Sequence, residues 1–396
     1  MIIQPKFRGF ICTTAHPVGC EYNVKEQIEY VKSLEFSQGP KNVLVIGAST
    51  GYGLASRITA AFGYKAGTIG VFFEKQASAP KKTASAGWYN SAAFEKSAHA
   101  EGLYAKSVNG DAFSNEIKNQ VAELIKKDLG KVDLVIYSLA APRRVDPVTG
   151  EVYNSVLKPI GRDYASKTVD FHTGEVTDIT IERAAGEEIK NTVAVMGGDD
   201  WKLWMETLKS QNLLADNVIT LAYSYVGPEL THPIYRDGTI GKAKDDLEAA
   251  AGEITGSLKE IGGKAYVSIN KAVVTQASSA IPVVPLYVSI LFKVMKNKGI
   301  HEGCIEQMSR LLKNLYEGNL LLDDKGRIRI DDLEMRDDVQ EEVSRAWNMV
   351  NSDNIKDISD LEGYRNEFFQ LFGFSINGVD YEKDIEIEIG IPSIES

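Results

Sequence analysis

Tyr235 and Lys244 are separated by eight residues, and Gly238 and Gly241 between them permit a loop. A phenol paired with an ammonium suits an oxygen that gains negative charge: the hydroxyl donates a hydrogen bond and then a proton. A nearby cation should favour the phenolate and bring its pKa below the ordinary value of about 10. The same lysine can grip a nucleotide ribose. In a chain with 17 tyrosines the pair gains weight only from its position. It follows the late strand expected at Asn217–Tyr223, with Tyr225 close by and His232-Pro233 in the intervening loop. A His–Pro pair in a loop is read as structural.

The second constellation is Gly47-Ala48-Ser49-Thr50-Gly51-Tyr52-Gly53, directly after the branched run Asn42–Ile46. Three glycines let backbone turn tightly and approach a pyrophosphate, and a following helix to Arg57 offers its N-terminal amides and positive dipole end. The spacing is GxxxGxG rather than the commoner GxGxxG. The next strand ends in Phe73-Glu74, and Glu74 lies 21 positions after Gly53. An acid there meets the adenosine ribose and repels a 2′-phosphate, so NADH is expected over NADPH. Lys75 beside it weakens that argument, and capping of the strand is the plainer reading. Asp111-Ala112 and Ser138-Leu139-Ala140-Ala141 follow two further strands, at the adenine and at the ribose and nicotinamide respectively.

These residues need a scaffold. Apolar runs at Asn42–Ile46, Thr68–Phe73, Leu103–Val108, Val132–Ser138, Asn217–Tyr223 and Lys264–Ile269 suit parallel strands covered on both faces. Helical stretches lie between several of them, such as Ser114–Leu129 with Ile117, Val121, Leu124 and Ile125 on one face. Alternating strands and helices imply α/β architecture, a doubly wound parallel sheet of the Rossmann type. Asn23, with Glu26 three positions on, reads as the cap of a helix running to about Leu34. The polar stretch Arg143–Lys190 reads as an irregular insertion over the sheet's edge. Ala280–Phe292 reads as a buried or substrate-lining wall, Gly303–Tyr316 as helix, and Asp384–Glu395, alternating Ile with acids, as an exposed edge strand.

Composition narrows the classes. The chain has 396 residues, 43% hydrophobic and 25% charged, as expected of a globular enzyme. Its net charge of −11 argues against nucleic acid as a partner. The most apolar stretch is too short for a bilayer, which takes about 20 residues, and no signal-peptide pattern opens the chain. Cytoplasmic residence and no membrane association are expected. Cys12, Cys20 and Cys304 read as reduced thiols, and the five histidines show no ligand spacing, so no metal is expected. Arg143-Arg144, Lys75, Lys81 and Lys82 suit phosphate groups, although solvated surface charge explains them as well.

Together, Gly47–Gly53, the Tyr235-x8-Lys244 pair and Lys271-Ala-Val-Val-Thr-Gln-Ala-Ser-Ser-Ala-Ile-Pro282 resemble the trans-2-enoyl-CoA reductase family. That family is related to the FabV-type enoyl-acyl-carrier-protein reductases, an enlarged branch of the short-chain dehydrogenases. Ordinary members of that superfamily space the pair by three residues, and FabI-type reductases by six. The resemblance spans the chain, including His16–Cys20 and Met196–Trp201. It implies one enlarged domain: residues 1–40 an N-terminal extension, 41–290 the dinucleotide-binding and catalytic core, 291–396 a helical part. It implies NADH-dependent reduction of a short enoyl-CoA such as crotonyl-CoA, without flavin or metal. Tyr235 would be proton donor and oxyanion partner, Lys244 would bind NAD, Tyr225 would sit by the thioester, and Val273-Val274-Thr275 would meet the nicotinamide. Acyl carrier protein is the alternative carrier, and a monomer is slightly favoured. A carbonyl-reducing dehydrogenase would carry the shorter Tyr–Lys spacing, and a non-catalytic NAD sensor would lack the pair.

Overall fold

The computed structural model describes residues 1–8, 11–78, 82–279 and 281–394. Seven parallel strands form the central sheet: β1 (Asn42–Ile46), β2 (Gly67–Phe72), β3 (Ala105–Asn109), β4 (Val132–Tyr137), β5 (Leu214–Ser224), β6 (Lys264–Ile269) and β7 (Ile328–Arg329). Their order across the sheet is β3-β2-β1-β4-β5-β6-β7. The chain winds outward from β1 through β2 to β3, then returns to place β4 on the other side of β1. This reversal is the switch point where doubly wound sheets open a crevice.

Both faces of the sheet are covered, which is why its strands read as unbroken apolar runs. Side chains alternate across a strand: Val43 and Val45 join one core cluster, Leu44 and Ile46 the other. The first cluster packs against α1 (Pro17–Lys32), α2 (Gly51–Ile58) and α3 (Ala86–Ala100). The second packs against α4 (Asn115–Asp128), α6 (Asp199–Ser210) and α7 (Thr239–Ser257), with α5 (Gly186–Met196) lying beside α7. Each fully buried Val or Ile contributes about 1.5–3 kcal/mol of transfer free energy. Beyond β6 come the short α8 (Gln276–Ser279), α9 (Val284–Asn297) and α10 (Cys304–Tyr316). After β7 come α11 (Asp337–Met349), α12 (Ile355–Ile358) and α13 (Leu361–Gln370).

Three expectations are corrected. The first helix begins at Pro17, not Asn23: Pro17 occupies a first-turn position that needs no amide donor, and the His16 Nδ1 accepts from Gly19 N at 3.1 Å. The polar stretch 143–190 is ordered as two antiparallel hairpins, Arg143–Val145 with Val152–Asn154 and Tyr164–Asp170 with Glu175–Ile181, followed by α5. The described part of the acidic tail forms no strand. Ile387 and Ile391 are buried, and the tail carbonyls are held by side chains: Trp88 Nε1 donates to Ile389 O at 2.7 Å and the Tyr89 hydroxyl to Ile387 O at 2.8 Å. Ala280–Phe292 reads correctly as buried, and most of it starts α9; Ala280 itself lies outside the described residues. Among the described residues no helix is long and apolar enough to cross a membrane.

Candidate active site

The turn after β1 is crowded on one side and open on the other. A Cβ on Gly47, whose φ is +87°, would lie 2.4 Å from Ser138 O, and one on Gly53 would lie 1.9 Å from Gly47 O. Only glycine fits at these two crossings. Gly51, at φ +53°, faces space: a Cβ there would meet nothing nearer than the Thr275 methyl at 4.0 Å. The loop therefore presents bare backbone beside the first turn of α2, whose amides have no partner inside the helix. That open cradle fits a dinucleotide pyrophosphate. Ala48 and Ser49 are buried beneath it, and Thr50 is exposed at the helix cap with no capping bond from its side chain. Tyr52 turns inward, its hydroxyl donating to Lys271 O and to Gln307 Oε1, the latter at 3.2 Å.

The adenosine end is organised around Glu74. Ser49 Oγ donates to Glu74 Oε1 at 2.6 Å, and Asn109 clamps the Glu74 backbone through bonds of 2.8 and 3.0 Å. The carboxylate is thus tied to the glycine loop by one oxygen, which leaves the other for a ribose hydroxyl. Phe73 beside it is 78% exposed, an open aromatic face where an adenine could stack. Asp111 Oδ1 accepts from Phe113 N at 3.0 Å, and its second oxygen makes no described bond. Ala112 O accepts from Lys118 Nζ at 3.0 Å and from Trp204 Nε1 at 3.1 Å. Lys118 is in turn paired with buried Asp200 at 2.7 Å. Leu139 and Ala140 follow Ser138, whose backbone passes against Gly47.

At the other end of the crevice, the Tyr225 and Tyr235 rings meet edge to face, centroids 4.9 Å apart. Lys244 lies in the second turn of α7 rather than opening it, and its Nζ donates to Tyr223 O at 3.4 Å. Burial draws the Lys244 ammonium down to about 8, with Glu248 opposing. Burial, with Tyr364 and Glu334 adding to it, pushes the Tyr235 hydroxyl well up from the ordinary phenol value. The expected lowering of Tyr235 by a nearby cation is therefore not found: burial dominates, and the charges that act on the hydroxyl, Tyr364 and Glu334, raise it further. Thr275 lies beside the glycine loop. It exchanges bonds of 2.9 and 3.0 Å with Ser278 of α8, and its methyl faces Gly51. Val273 and Val274 are buried beneath it. Val283, a β-branched residue at φ +76°, carries backbone strain at the entry to α9.

Two other groups sort themselves. His232 Nε2 is engaged with Gly227 O at 3.1 Å, a loop contact. Arg144 is not available for a phosphate: it is buried, donating to Ala194 O and Asp199, both at 2.7 Å. Arg143, Lys75 and Lys82 are exposed, and Lys81 lies outside the described residues. Sequence reasoning passed over Glu334. It is fully buried, and its Oε1 accepts from the Tyr225 hydroxyl at 3.0 Å and the Tyr287 hydroxyl at 2.6 Å. Flanked by Leu333 and Met335 in a segment of mixed charge, it carries no local signal of that role.

Comparison with known proteins matches the chain in three segments. Residues 2–79 match the NAD(P)H binding domain of trans-2-enoyl-CoA reductase, and residues 82–316 its catalytic region. A trans-2-enoyl-CoA reductase [NADH] of Ruminiclostridium cellulolyticum is 68% identical over 395 residues, covering all of both chains. An enoyl-[acyl-carrier-protein] reductase [NADH] of Flavobacterium psychrophilum is 62% identical, again over all of both chains. The crystal structure of a Clostridium acetobutulicum trans-2-enoyl-CoA reductase in complex with NADH superposes with a TM-score of 0.95 at 49% identity, over 98% of each chain. The Treponema denticola enzyme in complex with NAD gives 0.93 at 50% identity, over 99% of each. Residues 322–385 match a model described as the enoyl reductase FAD binding domain, which corrects the expectation of a flavin-free protein. Within that segment the buried polar side-chain atoms are bonded inside the protein, those of Glu334 and Tyr364 included. It thus offers no unpartnered buried group to hold a flavin ring. A relative sharing two thirds of its residues over the full length, together with the model for the catalytic region, places this chain in the trans-2-enoyl-CoA reductase family.

Proposed function

We propose that the chain reduces the carbon–carbon double bond of a short trans-2-enoyl-CoA with NADH, and that Tyr235 serves the thioester oxygen. One observation supports that role above others. Tyr52, Tyr223, Tyr225, Tyr287 and Tyr364 all have their hydroxyls bonded within the protein, whereas the Tyr235 hydroxyl has no partner among the described residues. A hydroxyl with its proton uncommitted, on a half-buried ring in the crevice, is the one able to donate to a substrate.

NADH, when bound, supplies the hydride, which goes to the β-carbon. The displaced π electrons form the enolate, and its oxygen is where a donor is worth most. Tyr235 hydrogen-bonds that oxygen, and its raised pKa keeps the proton in place until the α-carbon takes it. Lys244 would hold the ribose, and Thr275 and the Val273-Val274 backbone would orient the nicotinamide. At the far end, Phe73, Glu74, Asp111 and Ala112 would receive the adenosine, and Gly47, Ala48, Ser49, Thr50, Gly51, Tyr52 and Gly53 would cradle the pyrophosphate, with Leu139 and Ala140 beside the ribose. Three free cysteines are in keeping with action in the cytoplasm.

The reading is tested by following NADH absorbance with crotonyl-CoA and with the same acyl group on acyl carrier protein. Faster turnover of the CoA ester is expected. Turnover confined to the carrier protein would favour the second reading, which the Flavobacterium relative's name supports. Consumption with neither would end both.

A further inference from the structure

Glu334 joins four parts of the molecule. Its Oε1 accepts the hydroxyl protons of Tyr225, from the loop after β5, and of Tyr287, from α9. Its Oε2 accepts from Ala272 N at 2.7 Å, in the loop after β6, and its backbone carbonyl accepts from Gln340 Nε2 of α11 at 2.7 Å. The Lys271 ammonium, bonded to Ala272 O at 2.7 Å, and Asp331 on its own segment are the other charges facing it. A carboxylate with no exposed surface survives only where its oxygens are satisfied. This one is satisfied by the ring that packs against Tyr235.

We propose that Glu334 is a positioning residue for the reduction: it fixes the Tyr225 ring as the wall beside Tyr235 and engages Tyr225's only proton. Tyr225 then faces the substrate as a shaped surface and an acceptor, and Tyr235 is left as the donor. The inference rests on the role given to Tyr235 above. Burial holds the Tyr235 proton in place, and Tyr364 and then Glu334 add to it.

Glu334→Gln tests this. An amide offers one acceptor and one donor to a site that presents two hydroxyls and a backbone N–H, so the cluster cannot be fully satisfied. Turnover should fall by about tenfold or more, the worth of roughly one such bond. NADH affinity, read by fluorescence, should stay within about twofold, so that the loss falls on kcat and not on cofactor binding. Tyr225→Phe cuts the same bond from the other end. It should also lower kcat, and the double variant should be no slower than the worse single one. A folded Glu334→Gln protein with wild-type kcat overturns the proposal, as do effects that multiply in the double variant. Should Glu334→Gln not fold, Tyr225→Phe decides alone, and wild-type kcat there overturns it. Wild-type protein that turns over no enoyl thioester would instead refute the reaction itself, so the two failures are distinguishable.

Discussion

Tyr235 and Lys244 are shifted in opposite directions by the same cause. Burial strips much of the water from both half-buried groups, so the phenol holds its proton and the ammonium loses its own more readily. Tyr235→Phe removes the free hydroxyl and nothing else in the described contacts. It should cut kcat by about a hundredfold or more, the usual scale of a general acid, while NADH binding by fluorescence is kept; near-normal turnover would remove Tyr235 from its role. The lysine makes a prediction about pH. Its folded pKa of about 8 means that the cation is present below that pH and lost above it. The kcat/KM for NADH, which reports the free enzyme, should therefore decline as pH rises through about 8, and a flat profile to pH 9.5 would contradict the assignment. At Glu74, removing the carboxylate should shift the NADH-to-NADPH preference by about tenfold toward NADPH, the effect of about 1.4 kcal/mol of lost repulsion. The glycine loop shows in the sequence as a local pattern, and Tyr235 and Lys244 stand out as candidates through their spacing and their position after a late strand. Glu334 does not, because its meaning comes from partners about 50 to 110 positions away.

Elements that bury an apolar face are the ones the sequence exposes to view. The five residues of β1 and the six of β6 are found where the apolar runs place them, since strands covered on both sides admit little else. The hairpin Tyr164–Asp170 with Glu175–Ile181 was missed because most of its second strand faces solvent, and its alternation, Val176 and then Ile179 and Ile181, slips phase between Thr177 and Asp178. The tail failed in the opposite sense. Its Ile and acid alternation is real, yet its carbonyls bond to side chains of α3 rather than to a neighbouring strand. The loop at Ala112 shows how elements stabilise the cofactor end. Lys118 of α4 bridges its carbonyls to Asp200 of α6, both 1% exposed. Lys118→Met leaves Asp200 buried and unpaired, and should cost about 3–5 kcal/mol in denaturant unfolding, with a raised KM for NADH. Unfolding within 1 kcal/mol of wild type would show the pair to be dispensable.

For the molecule as a whole, one core cluster draws on every matched segment: Val45 and Leu54 from the first, Phe94 and Phe292 from the second, Tyr364 and Phe368 from the third. We propose that the three segments fold as one unit, so that denaturation followed by fluorescence and by circular dichroism should give coincident transitions. Resolved transitions would divide the chain. The central claim concerns where the hydride goes, and isotope placement tests it most directly. With NADH deuterated at the transferred C4 position and crotonyl-CoA as substrate, the account predicts butyryl-CoA carrying deuterium at C3 and a solvent-derived hydrogen at C2. Deuterium at C1 or C2, or a product that retains its double bond, would contradict it.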